Sequence, residues 1–263
     1  MAAKIGFIGI IRDEFEKDTE GTLKWVADLG FDGMEGAASV AEKLGVSVAE
    51  TRKKLAALGI EVPVQGAIRP SQSDDEIRKI IATAKEIGAP YTVDYFAPFE
   101  TRDEILEYAE FATRVGKICA ESGIGFLYHN HNHEMRMVNG KRAIELFLEN
   151  TDTSLVNVEL DIGWVAFGGG DPVELIEKYP SRFPVLHMKD FESFMPDAED
   201  TGAARKAATF AEVGDGKVDM KAVVAAAKKA GIGWLTIEQD RMNRLDPKES
   251  LERSYRNLKA MVG

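Results

Sequence analysis

Phe126-Leu127-Tyr128-His129-Asn130-His131-Asn132-His133-Glu134 opens as an apolar, β-prone run and ends in side chains that bind metals or carry protons. Three of the chain's four histidines stand in it. The fourth, His187, belongs to a second run of the same form, Phe183-Pro184-Val185-Leu186-His187-Met188-Lys189-Asp190. A strand that is apolar at its start and ionisable at its end suits a barrel or an open α/β sheet, whose site lies at the carboxyl ends of the strands.

Outward from these runs, a joint recurs about every thirty residues: a helical tail, a glycine, then a β-prone segment. It reads Ala27-Asp28-Leu29-Gly30, Ala56-Ala57-Leu58-Gly59, Lys85-Glu86-Ile87-Gly88, Ala120-Glu121-Ser122-Gly123 and Lys228-Lys229-Ala230-Gly231. Glycine just past a helix end supplies a left-handed cap, and a short loop then leads into a strand. Strands are expected near 4–10, 32–36, 60–66, 91–96, 124–131, 155–161, 184–189 and 234–239. Helices are expected at 19–30, 39–57, 74–87, 102–121, 141–149, 171–179, 219–230 and 247–261. Asp171-Pro172 and Asp246-Pro247 are cap-plus-proline starts, and Ser39 and Ser47, the latter with Glu50 three residues on, serve the segment 39–57. This alternation fits a single-domain (β/α)8 barrel over residues 1–263 better than an open doubly wound sheet. Gly168-Gly169-Gly170 is not a phosphate-binding turn, and residues 191–218 read as a long polar insertion placed where a lid would lie.

A net charge of −11 opposes binding to a phosphate backbone, so nucleic acid is not an expected partner. Cys119 is the only cysteine, which excludes an internal disulfide and a zinc–thiolate site. The first residues lack the pattern of a signal peptide, and no apolar run is long enough to span a membrane. A cytoplasmic protein acting on a small molecule is expected, with homo-oligomerisation left open.

Two further strand ends carry acids: Val158-Glu159-Leu160-Asp161 and Leu235-Thr236-Ile237-Glu238-Gln239-Asp240. Alternation pairs Glu159 with Asp161, and His187 with Lys189, on one face. Carboxylates and imidazoles converging from neighbouring strands suit one divalent cation, with Mn²⁺, Mg²⁺, Co²⁺ and Zn²⁺ not distinguished. Trp164 is a candidate wall for a sugar ring, and Glu35 and Gln65 are candidate hydroxyl binders. Arg241 and Arg244 are candidate anion binders, and Lys189 either binds an anion or pairs with Asp190.

The runs Tyr128-His129-Asn130-His131-Asn132-His133-Glu134, Asn157-Val158-Glu159-Leu160-Asp161-Ile162-Gly163-Trp164, Leu186-His187-Met188-Lys189-Asp190-Phe191 and Thr236-Ile237-Glu238-Gln239-Asp240 resemble the xylose isomerase-like superfamily. Within it the chain is similar to sugar phosphate isomerases/epimerases. The resemblance implies a (β/α)8 barrel with one divalent metal, held by Glu, Asp, His and Glu from strands five to eight. Asp161, His187 and Glu238 match three of those positions. The strand-five glutamate has no direct match, so Glu134, His129 or His131 completes the shell, with Glu134 favoured on ligand chemistry and His129 otherwise facing substrate. The two-glutamate proton transfer of the epimerases then needs another base, His131 or Lys189, opposite Glu238. The expected reaction is sugar isomerisation or epimerisation through an enediolate on a ketose or polyol-derived carbohydrate. A dehydratase or keto-sugar lyase using the same chemistry is the alternative. A non-catalytic sugar-binding barrel and a DNA-repair endonuclease share the fold class, but four histidines and net −11 argue against the latter.

Overall fold

The five glycine joints take the backbone their chemistry suggests. Gly30, Gly59, Gly88, Gly123 and Gly231 all sit at positive φ, where other residues are strained, and each ends a helix and releases the chain into the next segment. In the computed structural model, which describes residues 3–263, the strands are β1 (Lys4–Phe7), β2 (Gly33–Met34), β3 (Val64–Ala67), β4 (Tyr91–Asp94), β5 (Gly125–His129), β6 (Val156–Asp161), β7 (Val185–Met188) and β8 (Trp234–Ile237). All are parallel to their neighbours, in the order β2-β1-β8-β7-β6-β5-β4-β3. A parallel bridge from Gly33 to Glu61 joins the two ends, so the sheet closes into a barrel and is not open.

The main outer helices are α1 (Thr19–Leu29), α2 (Val48–Ala57), α3 (Asp74–Ile87), α4 (Arg102–Glu121), α5 (Ala143–Glu149), α6 (Pro172–Lys178), α7 (Met220–Ala230) and α8 (Pro247–Val262). Reciprocal capping boxes start α2, α3 and α4 at Ser47, Ser73 and Thr101, each contributing about 1 kcal/mol. Asp171 and Asp246 cap α6 and α8, as the Asp-Pro pairs suggest. The segment 39–57 is not one helix. Gly45 at φ 63 ends a first helix, Ala38–Leu44, and the Ser47 box starts α2. Ser39 is not a cap; its hydroxyl donates to the Gly36 carbonyl. β3 also begins later than expected, at Val64, with a register irregularity against β4.

The barrel interior is layered. Val64, Val93, Leu127, Val185 and Trp234 form an inner apolar cluster. One pleat nearer the carboxyl ends, the same faces carry Tyr95, His129, His187 and Thr236, followed by Lys189 and Glu238. On β6, Val156, Val158 and Leu160 join the main core while Glu159 and Asp161 face the other way. Full burial of each aliphatic side chain contributes about 1.5–3 kcal/mol, so the lower layer and the surrounding core hold a layer of charge that cannot stabilise itself.

The insertion after β7 has an apolar underside. Asp190–Ser193 pairs antiparallel with Thr209–Ala211 around a short helix, Ala203–Ala207. Phe191, Phe210 and Ala208 are buried against Trp164 and Phe167. The Asp190 carboxylate accepts the backbone N–H groups of Gly214, Gly216 and Val218 at 2.9–3.1 Å, which fixes the following turn. Among the described residues no helix is long and apolar enough to cross a membrane.

Candidate metal centre

Glu159 is the keystone of the barrel mouth. Its Oε2 lies 3.1 Å from His129 Nδ1 and 3.3 Å from His187 Nε2. Glu35, at the end of β2, approaches the same His187 nitrogen at 3.1 Å and takes a second bond from the Thr236 hydroxyl at 2.6 Å. These carboxylates accept the N–H of one nitrogen on each ring and turn the other nitrogen inward. His129 Nε2 then faces Asp161 Oδ2 at 4.0 Å, and His187 Nδ1 faces Glu238 Oε2 at 3.0 Å. His129, Asp161, His187 and Glu238 each bring one donor atom within 4.8 Å of all the others.

That arrangement fits a divalent cation. A metal-bound histidine usually donates its second N–H to a carboxylate, and both rings here do so. Asp161 Oδ2 is buried without a hydrogen bond among the described residues; Lys189 Nζ stands 3.0 Å away but is not aligned to donate. Two imidazole nitrogens and two carboxylate oxygens without thiolate form a mixed donor set that does not choose between metals.

The charges are strongly coupled. Burial opposes charge on Lys189, but Asp161, Glu238 and Asp240, each with an oxygen 3.0 Å from Nζ, outweigh it and hold the ammonium well above its ordinary pKa. Burial also opposes the His187 cation, and Glu159, Glu35 and Glu238 reverse that. Desolvation works against ionising Glu159, yet His187 and His129 hold its carboxyl down at about 2. Glu35 goes the other way: burial and the Glu159 charge push it up to about 7. Burial likewise disfavours the Glu238 carboxylate, but Lys189 and His187 keep it well below the usual range. Asp161 is raised, chiefly by burial.

Asp161, His187, Glu238 and Lys189 therefore come together as expected, and the alternation that pairs Glu159 with Asp161 holds. Glu134 does not join them. A 3-10 turn, His133–Met135, folds its carboxylate back to accept from the Tyr128 hydroxyl at 2.5 Å and the His131 backbone N–H at 3.0 Å. His129 occupies the fourth corner instead. Lys189, held as an ammonium, has no lone pair to act as a base, and its partners do not include Asp190. His131 packs edge-on to His129 at 5.2 Å; burial, then the neighbouring cationic groups, push its pKa down to about 2, so the ring is neutral.

Trp164 is only 3% exposed, with Lys189 Nζ 4.9 Å and the Arg205 guanidinium 4.6 Å from its ring centre, so it offers no open face to a sugar. Gln65 Oε1 accepts the Ala38 N–H at 2.8 Å. Arg241 donates to the carbonyls of Arg205, Lys206 and Ala208, clamping the lid helix, and Arg244 stands 3.6 Å from buried Glu212. Tyr95 and Asp240 are site residues that sequence reasoning missed. Tyr95 follows Val93 by one pleat and packs against His129 with ring centres 5.5 Å apart, a place that alternation along β4 points to.

Comparisons with known proteins agree with this architecture. Residues 23–261 match the xylose isomerase-like TIM barrel family. An inosose dehydratase of Clostridium tetani (strain Massachusetts / E88) is 30% identical over 149 residues, 54% of this chain and 49% of that protein. The match thus spans about half the length of that curated relative. Among solved structures, a sugar phosphate isomerase/epimerase from Parabacteroides distasonis has a TM-score of 0.81 at 24% identity, covering 99% of this chain and 97% of that one. The IOLI protein, solved with a zinc atom, has a TM-score of 0.76 at 18% identity, covering 98% of each chain. These two likenesses carry the fold alone, whereas the family match covers most of the sequence. The chain belongs to the xylose isomerase-like TIM barrel family.

Proposed function

We propose that the protein is a divalent-metal-dependent dehydratase, a carbon–oxygen lyase, acting on a polyol-derived ketone of the inosose kind. The observation that carries this reading is the convergence of His129, Asp161, His187 and Glu238, with Glu159 orienting both rings. The dehydratase relatives favour elimination over the isomerisation or epimerisation expected from the motifs alone. The site supports the same preference. β5 brings an imidazole to the cluster where a two-base epimerase would need a second carboxylate.

A cation held by the four side chains would polarise a ketone oxygen and acidify the neighbouring C–H. Glu238 receives that proton: its side chain is 21% exposed, and Oε1 makes no hydrogen bond with the described residues. The Lys189 ammonium donates to the departing β-hydroxyl. One C–H and one C–O bond break, a C=C bond forms, and water leaves. Glu159 and Glu35 keep His129 and His187 in the required orientation.

The test is metal content and inosose turnover in the wild type, His187→Ala and Glu238→Gln, with circular dichroism to check the fold. His187→Ala is expected to lose the metal, and Glu238→Gln to lose at least about 100-fold in turnover, the scale of general-base catalysis. Retained metal and turnover in both folded variants would defeat the reading. In D₂O, exchange beside the carbonyl without loss of water would favour the isomerase or epimerase instead.

A further inference from the structure

The lid flank of the cluster is filled, and room lies on the β1 side, where a second cavity of about 410 Å³ between the ends of β1 and β8 is lined by Glu238 and Asp240. On the lid flank Trp164, Phe167, Phe191 and Phe210 are packed together, and Arg205 closes over Trp164 while bonding Asn132 Oδ1. On the opposite flank a cavity of about 480 Å³ runs over the carboxyl ends of β1, β2 and β3. That volume lies inside the roughly 300–1,000 Å³ range of small-molecule sites. Glu35 and Tyr95 stand where the cavity meets the metal cluster; Phe7, Met34, Gln65 and Arg12 continue its wall.

The backbone keeps this space clear. Gly9 and Gly36 line it at φ 75 and 67, while the missing Cβ of Gly66 would point at Ile80 instead. A Cβ on Gly36 would meet no atom within 4 Å, so only the glycine backbone bounds the cavity there. The polar groups on the wall have donors to spare. The Tyr95 hydroxyl makes no hydrogen bond among the described residues, and Gln65 uses its oxygen on Ala38, leaving its amide N–H groups without a protein acceptor. Phe7 and Met34 add an apolar surface of the kind that meets the C–H face of a ring.

We propose that the substrate's carbon skeleton lies over β1–β3, away from the lid, with Tyr95 donating to the oxygen beside the reacting carbon and Gln65 to a more distant hydroxyl. The ligand class is a polyhydroxylated ring that turns one apolar face to Phe7 and Met34. The identity of the reaction rests on the dehydratase reading; the location of the ligand is tested apart from it.

Tyr95→Phe removes the hydroxyl and keeps the ring on His129. Ser39→Trp fills the cavity rim from an exposed position that touches none of the four candidate ligands. On metal-loaded protein, each is measured for inosose turnover and for binding of myo-inositol, an unreactive polyol, by saturation-transfer NMR and calorimetry. Tyr95→Phe should lower kcat/KM about tenfold, the value of one hydrogen bond made to substrate, with metal content unchanged. Ser39→Trp should raise KM and weaken myo-inositol binding with kcat little changed, whereas Met195→Trp on the exposed lid flank should alter neither. Turnover that survives Ser39→Trp and Tyr95→Phe unchanged overturns the placement while leaving the dehydratase reading intact. A wild type that binds myo-inositol, loses that binding in Ser39→Trp, and turns over no inosose supports the placement and sinks the reaction. A wild type that neither binds myo-inositol nor turns over inosose overturns the placement.

Discussion

Replacing Glu159 tests the structural logic of the metal centre more sharply than replacing a ligand. Glu159 Oε2 accepts the His129 Nδ1–H at 3.1 Å and lies 3.3 Å from His187 Nε2, whose N–H Glu35 accepts, while Glu159 Oε1 has no hydrogen-bond partner among the described residues. Glutamine can therefore put its carbonyl oxygen in the working position and its amide nitrogen where nothing was bonded. The His129 bond and the His187 contact survive but lose the charge, which is worth about 1 kcal/mol each. Glu159→Gln should thus weaken metal binding by roughly ten- to thirtyfold, within the range found for groups that support metal ligands. Glu159→Leu is a different case. His187 keeps Glu35 as an acceptor for its Nε2, so the orphaned donor is His129 Nδ1, buried at a cost of about 1–3 kcal/mol. Leucine should lose more metal affinity than glutamine and should also unfold earlier in urea. Combined with Glu35→Gln, the loss should exceed the sum of the single effects, because the two carboxylates share His187. The assay is a competition titration with a chromophoric chelator, beside urea denaturation of the metal-free proteins. Equal affinities for wild type, Gln and Leu variants would refute the claim that Glu159 orients the rings.

Two further expectations concern buried groups outside the cluster. Burial pushes the Asp94 pKa up to about 6, against opposing bonds from the Tyr108 hydroxyl and the Phe96 N–H. Because the folded value lies above the unfolded one, stability present below about pH 4 is lost as pH rises to about 6, by up to about 3 kcal/mol. Asp94→Asn has no such titration, so its urea stability relative to wild type should improve by up to that amount between about pH 4 and pH 7; a difference that stays flat across the window contradicts the assignment. Cys119 is fully buried and its thiol is pushed up to about 12 by desolvation. The native protein should react with a thiol reagent only as fast as it opens, and immediately in denaturant; rapid labelling of the folded chain would show that the helix is not packed as described.

The barrel and half of the site were legible because both follow from short-range rules. Glycine joints and period-two alternation place Asp161, His187 and Glu238 on one face without any knowledge of their neighbours. What remained hidden depends on where the chain goes after the strand stops. β5 ends at His129, and the next residues curl into a 3-10 turn, so Glu134 points back to Tyr128. Nothing in His-Asn-His-Asn-His-Glu distinguishes that path from continued extension. Leu44-Gly45-Val46 has the same form as the helix–strand joints, yet the box at Ser47 and Glu50 restarts a helix there. Trp164 and Arg241 follow strand ends, which suggests a ligand-facing role, but Trp164 is covered by the lid and Arg241 is bonded to it from outside, and neither contact can be read from the local sequence. Tyr95 lies where the alternation rule puts an inward-facing residue, but a tyrosine at a strand end carries no metal or proton chemistry by itself and gives no signal in the sequence.

The charge balance explains why the flank over β1–β3 stays open. Glu35, Glu159, Asp161, Glu238 and Asp240 meet at the barrel mouth, with Lys189 and His187 as the cations held there. Such a group is left with an excess of about three negative charges, somewhat less when Glu35 carries its proton, and a low-dielectric interior makes that excess costly. Apolar packing around all sides would worsen it. A divalent cation bound by His187 displaces that ring's proton, so it removes about one unit of the excess, and the cavity beside Glu35 lets water or a hydroxylated ligand solvate the rest. The lid can be closed by aromatic rings because Lys189 and Arg205 already neutralise that side. The cavity beside Glu35 leaves that side of the cluster open, and there a polyol can exchange its own hydroxyls for the water it displaces.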